Sequence, residues 1–190
     1  NHLIYIGGSP VDNNSHQLKK GTMKVLEPLI QSGQVVLELE TFTDDWSLQN
    51  AYLDTQKFLQ KRIPVDGVIA ANDATAAGAL QALQENGLVG IPISGQDAEL
   101  SACQRVAQGT QTVTVYKPLQ SLARMAVDMA VKVARGEVLV PNAVVHNGFY
   151  DVPSILLESI PVHRKNLNET VIQDGFHSYE SVFGVKSPHP

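Results

Sequence analysis

The sequence predicts an α/β fold, an open and mostly parallel sheet flanked by helices. Three observations carry that reading. Short β-type runs alternate with longer stretches of helical spacing, five strand–helix pairs follow in succession, and helical periods separate the strands. Successive βα units pair their strands in parallel and lay helices on both faces. An all-β or all-α chain would not alternate in this way.

The first strand is Leu3-Ile4-Tyr5-Ile6, closed by Gly7-Gly8-Ser9-Pro10. Asp12, Asn13, Asn14 and Ser15 then offer N-cap side chains. Leu18, Met23, Leu26 and Ile30 follow at helical spacing, and Ser32-Gly33 ends that helix. Val35-Val36-Leu37 is the second strand, and Thr43 to Ser47 is a loop and cap before a helix over Leu48 to Leu59. Pro64-Val65-Asp66 turns the chain into the third strand, Val68-Ile69-Ala70. Asn72-Asp73 caps a helix that Gly87 stops. Ile91-Pro92-Ile93 is the fourth strand, a helix covers Ala98 to Ala107, and Thr112 to Val115 is the fifth strand. Pro118 takes the first position of a helix over Leu119 to Ala134. That helix is apolar on most of its faces and reads as buried. Beyond Leu139 the pattern changes, with Val144-Val145 and Phe149 to Leu157 extended around an Asn147-Gly148 turn. Residues 160–190 are polar and irregular, with one short helix near Glu169 to Ile172 and a frayed tail at Lys186 to Pro190.

Composition narrows the function classes. Of 190 residues, 43% are hydrophobic and 17% charged, which excludes a disordered chain. The net charge of −5 removes any bulk attraction to nucleic acid or an anionic membrane, so no nucleic-acid partner is expected. One cysteine, Cys103, excludes an intrachain disulfide and a multi-cysteine metal site. The six His are scattered without ligand spacing, and no nucleophile elbow or dinucleotide or phosphate loop occurs. No apolar run approaches the roughly 20 residues of a membrane span. The chain opens on Asn1 with no charged-then-apolar leader, so it reads as processed or as a piece of something longer.

In an open α/β sheet, ligands bind outside the carboxyl ends of the strands. Five loops lie there: Ser9 to Asn14, Thr43 to Trp46, Ala71 to Asp73, Gly95 to Asp97, and Tyr116 to Pro118. They hold Asp, Asn, Gln, one Lys and the only Trp of the chain. Planar hydrogen-bonding groups around one flat apolar indole suit a sugar, with hydroxyls at its edge and C–H groups on its face. A phosphate would require clustered Arg or Lys, which these loops lack. Each residue also has a structural role open to it. Asp12, Asn14, Asn72 and Asp97 sit where helix caps sit, Trp46 can be packing, and Lys117 can be a solvated surface lysine.

The same loops carry a resemblance. Gly7-Gly8-Ser9-Pro10-Val11-Asp12-Asn13-Asn14, Asn72-Asp73-Ala74-Thr75-Ala76, Ile93-Ser94-Gly95-Gln96-Asp97-Ala98, Gly109 to Pro118 and Val171 to His177 resemble the xylose branch of the type I, ribose/galactose-type, periplasmic substrate-binding proteins. The match is collinear from about Leu3 to His177. It implies one lobe, plus pieces of the other, of a two-lobe periplasmic-binding-protein type I fold. Residues 1–116 would be the C-terminal lobe, 117–142 a helix and crossover belonging to the N-terminal lobe, and 143–190 returning strands and tail. The resemblance assigns ligand contacts to Asp12, Asn14, Trp46, Asn72, Asp97 and Lys117. The Asp and Asn side chains would bond hydroxyls, Trp46 would stack on the ring, and Lys117 would close the site near the hinge. It implies binding of D-xylose or a similar monosaccharide in the periplasm, or at a lipid anchor in a Gram-positive cell. Delivery to an ABC permease of the inner membrane follows, with no cofactor, metal or catalytic residue. The N-terminal lobe would be a further partner. Two rival readings are a sugar-sensing domain of a receptor or LacI-type transcriptional regulator, and an enzyme using strand-end carboxylates.

Overall fold

The computed structural model describes residues 1–185, so the tail expected at Lys186 to Pro190 lies outside the described residues. The chain divides into two compact units. One is Asn1–Tyr116 with the chain from Pro161 onward, the other Lys117–Ile160.

The first unit carries β1 (His2–Gly7), α1 (Asn13–Gln31), β2 (Val36–Phe42), a 3₁₀ turn (Asp44–Trp46), α2 (Leu48–Leu59) and β3 (Gly67–Ala70). It continues through α3 (Asp73–Glu85), β4 (Ile93–Ser94), α4 (Leu100–Gln108) and β5 (Thr114–Tyr116). β1 to β4 form one sheet in the order β2-β1-β3-β4, parallel throughout. Val113, just before β5, bridges Ser94 in the same parallel sense.

That order means the chain reverses. It steps from β1 to β2 in one direction, then passes back beyond β1 to β3 and β4. Right-handed crossovers therefore put α1 on one face and α2 and α3 on the other. On the α2/α3 face, Ile4 and Ile6 of β1, Val68 and Ala70 of β3, and Ile93 of β4 pack under Ala51, Phe58, Ala76, Ala79 and Leu83. Burying Phe58, 1% exposed, contributes about 2–3 kcal/mol. The close α2–α3 approach requires Gly78, where a Cβ would lie 2.8 Å from the Tyr52 nitrogen.

Several boundaries move for physical reasons. Asp12 is the N-cap of α1, so the polar stretch at Asn13 and Asn14 forms its first turn. β2 runs seven residues, because an edge strand tolerates Glu38 and Glu40 alternating with Leu37 and Leu39. β4 shrinks to two residues, since Pro92 has no N–H to give the ladder.

The second unit holds α5 (Leu119–Ala134), then β6 (Ala143–His146) and β7 (Asp151–Ser154) as an antiparallel hairpin. The Asn147-Gly148 turn is present, with Asn147 Oδ1 accepting from the Phe149 and Tyr150 nitrogens at 3.0 Å. The expected burial of α5 fails. None of its residues is buried, and Leu119 and Val127 are 53% and 62% exposed. One helix and one hairpin have too little surface to enclose it.

The stretch expected to be irregular contains β8 (Ile160–Val162), a π-type turn (Asn168–Ile172) and α6 (Tyr179–Phe183). β8 pairs with β5, and α6 packs on α4, where Gln104 Nε2 donates to Ser181 O at 2.8 Å. Among the described residues, no helix is long and apolar enough to cross a membrane.

Candidate functional site

Four parallel strands send all their carboxyl ends to one edge, about 14 Å wide at three spacings of ~4.8 Å. β1 and β3 are neighbours whose following helices leave to opposite faces. Their ends flank the switch point, where an α/β sheet opens its binding crevice. Asp12 and Asn14 follow β1 and Asn72 follows β3, so both sides of that crevice carry candidate residues.

At the β1–β2 end, Asp12 is half-buried and uses both oxygens. Oδ1 accepts from the Asn14 nitrogen at 2.8 Å, which is the cap. Oδ2 accepts from Trp46 Nε1 at 3.1 Å, which orients the indole. The Trp46 ring lies on Gly8, where any Cβ would overlap it. Asp45 and Trp46 sit at φ +54° and +56°, so the 3₁₀ turn is strained. Buried Thr43 anchors the turn by donating from Oγ1 to Gly7 O at 2.8 Å. Asn14 is exposed in the first turn of α1.

At the β3–β4 end, Asn72 is 8% exposed and caps α3. Its Oδ1 accepts from the Thr75 nitrogen at 2.8 Å and from Thr75 Oγ1 at 2.9 Å. The cap does not use Nδ2. Asp97, half-buried, ends the β4 loop at φ +96° and donates its N–H to Val115 O at 2.8 Å. The next residue, Ala98, is also left-handed at φ +49°.

Behind this end lies a polar network that strand-end reasoning does not find. Asp73, wholly buried, accepts from Gln111 Nε2 at 2.9 Å, Thr114 Oγ1 at 2.8 Å and the Glu99 nitrogen at 2.9 Å. Burial pushes its carboxyl up to about 6 against the pull of those donors. Arg105 donates to Asp73 O at 3.0 Å and to Gln111 Oε1 at 2.9 Å. His177 Nε2 donates to Ala98 O at 2.7 Å. Tyr116 donates its hydroxyl to Asp174, and burial together with that carboxylate pushes it up to about 12. Burial also pushes Cys103 up to about 12, so its thiol is unreactive.

The structure brings Asp12 and Trp46 into contact and sets Asn72 and Asp97 on adjacent strand ends. Lys117 is exposed and is the first residue of the second unit. Asp12 divides its two oxygens between the α1 cap and the Trp46 indole, and the α3 cap engages Asn72 through its single side-chain oxygen. Among the described residues, no group of three or more His, Cys, Asp or Glu is placed to hold a metal ion.

Comparison with known proteins agrees with the fold. The family model described as periplasmic binding protein domain matches residues 2–137. The D-xylose-binding periplasmic protein of Haemophilus influenzae is 47% identical over 184 residues, covering 96% of this chain and 55% of its own length. The Escherichia coli K12 protein of the same description is 45% identical over 178 residues, covering 93% and 54%. An ABC transporter solute-binding protein from Clostridium phytofermentans, solved with β-D-glucose bound, superposes with a TM-score of 0.83 at 25% identity. That match covers 95% of this chain and 60% of the other. The chain thus spans about half the length of the curated relatives it matches. With the family model matched over residues 2–137, the chain belongs to the periplasmic binding protein domain family.

Proposed function

We propose that this chain is the C-terminal portion, one lobe plus pieces of the other, of a D-xylose-binding component of an ABC sugar importer. The observation that carries this is the strand-end edge, where Asp12, Asn14, Trp46, Asn72 and Asp97 follow four adjacent parallel strands. It occurs in a chain 45–47% identical to D-xylose-binding periplasmic proteins. In this reading the Asp12 and Asp97 carboxylates accept from sugar hydroxyls and Asn72 Nδ2 donates. The indole of Trp46, held by Asp12, offers its face to the ring C–H groups. Asn14 adds an amide and Lys117 a cation from the start of the crossing segment. A sugar with an inverted or extra hydroxyl would leave one buried partner unpaired, a loss of about 1–3 kcal/mol.

The mechanism is hinge closure of two lobes on the sugar. The chain leaves the first unit after Tyr116 and re-enters it at Pro161, as hinge strands would. Residues 117–142 are proposed to belong to the N-terminal lobe, which supplies the remaining contacts. The closed form is then handed to a permease from the periplasmic side. No bond is made or broken.

The test is calorimetric titration of a two-lobe protein carrying this chain with D-xylose, L-arabinose, D-ribose and D-glucose. One-to-one binding selective for D-xylose is expected. Binding of none of the four, or turnover of any, would overturn the reading.

A further inference from the structure

We propose, resting on that sugar-binding reading, that Asp73 is a positioning residue for the contact loop after β4. It holds residues 95–99 in the backbone conformation that presents Asp97 at the strand-end edge.

The loop needs such a device. Asp97 and Ala98 are consecutive non-glycine residues at positive φ, +96° and +49°. L-residues keep that conformation only where the surroundings over-determine it. Here two successive amides of the strained turn end on the Asp73 carboxylate. The Glu99 N–H reaches Oδ2 directly at 2.9 Å. The Ala98 N–H reaches Thr114 Oγ1 at 3.1 Å, and that hydroxyl donates to Oδ2 at 2.8 Å. The Asp73 backbone joins in, its N–H donating to Gln96 O at 2.9 Å.

Oδ1 is pinned on its other side by Gln111 Nε2 at 2.9 Å, and Arg105 Nε fixes that amide through Gln111 Oε1 at 2.9 Å. Packing leaves the carboxylate no slack, because a Cβ at Gly95 would overlap Oδ1 and lie 2.6 Å from Gln111 Nε2. A first-turn helix carboxylate ordinarily faces water, where the helix dipole favours it. Asp73 is 0% exposed and faces the loop instead. A buried carboxylate is a poor device for stability alone, but its several lone pairs can gather amides from two segments at once. Asp73 also directly follows Asn72, so one residue registers the candidate contact loops after β3 and β4.

The test is amide exchange, read residue by residue, together with D-xylose titration in the full-length protein. In Asp73→Asn the new Nδ2 meets donors where Oδ1 or Oδ2 accepted. Exchange at Ala98 and Glu99 is expected to accelerate at least tenfold, while Ile4, Ile6 and Ala79 in the core change less than twofold. The xylose Kd is expected to rise ten- to a hundredfold. Thr114→Val should act in the same way and Thr114→Ser should restore native behaviour, which keeps the test intact if Asp73→Asn does not fold. Acceleration spread evenly over loop and core would make Asp73 a stability element only and overturn the proposal. An unchanged Kd with a loosened loop would overturn it as well. If the native protein binds none of the sugars, the sugar-binding reading falls, and the positioning proposal falls with it. In that case the exchange pattern still separates a held loop from a merely stable one.

Discussion

At the β1–β2 end of the edge, Asp12 bonds the nitrogen two residues ahead and the indole of a half-exposed Trp46. At the β3–β4 end, Asp73 is sealed from solvent, and its side-chain partners lie 26, 38 and 41 residues along the chain. The first end is steered by turn chemistry with one cross-strand bond added. The second is assembled only when three distant segments meet. A site built this way has one half that can adjust to a ligand and one that is fixed before it arrives.

Matched glycine substitutions give the sharpest contrast. Gly95→Ala drives a methyl into the buried Asp73 and Gln111 pair and should lower stability by about 3 kcal/mol. Gly8→Ala drives one into the Trp46 ring, which can swing outward, so the loss should be about 1 kcal/mol, with sugar affinity suffering more than stability. Urea midpoints would measure both, and equal losses would erase the distinction between the two ends.

The next effect is pH-dependent. Asp73 rises from an ordinary 3.8 to about 6 on folding, through burial first and the nearby Glu99 charge last. Between about pH 4 and pH 6 the folded state holds a proton that the unfolded chain has released. Stability from this group is therefore full below pH 4 and lost as pH rises through 6, a change on the order of 3 kcal/mol. Arg105 and Cys103 also face the carboxylate, and neither titrates in that window. The native protein should gain on Asp73→Asn as pH falls from 7 to 4 in paired denaturation curves. A parallel pair of curves would mean that Asp73 is charged throughout.

Smaller effects probe the adjustable end. Trp46→Ala should weaken sugar binding by about 1–3 kcal/mol through lost stacking area. Trp46→Phe keeps a ring face and drops only the bond to Asp12, so about 1 kcal/mol is expected. Titration calorimetry distinguishes the two. Smallest is Tyr116→Phe, which removes the hydroxyl bonded to Asp174 and should cost about 1 kcal/mol in a thermal melt with affinity little changed.

The contrast also explains what the sequence could reveal. Asp12, Asn72 and the Asn147-Gly148 turn were legible because capping and turn chemistry act over two to four residues. The helices at Leu48–Leu59 and Leu119–Ala134 match their expected bounds, since apolar spacing and a leading Ser or Pro mark them. Asp73 was legible only as half of an Asn72-Asp73 cap at a strand end. Its burial depends on Gln111 and Thr114, which nothing within a local window connects to it. The switch point between β1 and β3 was hidden for the same reason, because strand order is a property of the assembled sheet. α5 shows the converse error, and α3 is the contrast. Ala-rich α3 buries Ala76, Ala79, Ala82 and Leu83, whereas α5, richer in Leu, Met and Val, buries nothing. Apolar composition announces a need for a partner, and only the fold shows whether one is met.

The most direct measurement is the emission of Trp46, the single indole of this chain, during D-xylose titration of a two-lobe protein with any other Trp replaced. A saturable, xylose-selective change is expected, lost in Asp97→Ala, across the edge from the reporter. Sugar binding that leaves Trp46 emission unmoved, or a response that persists in Asp97→Ala, would contradict a site built along this edge.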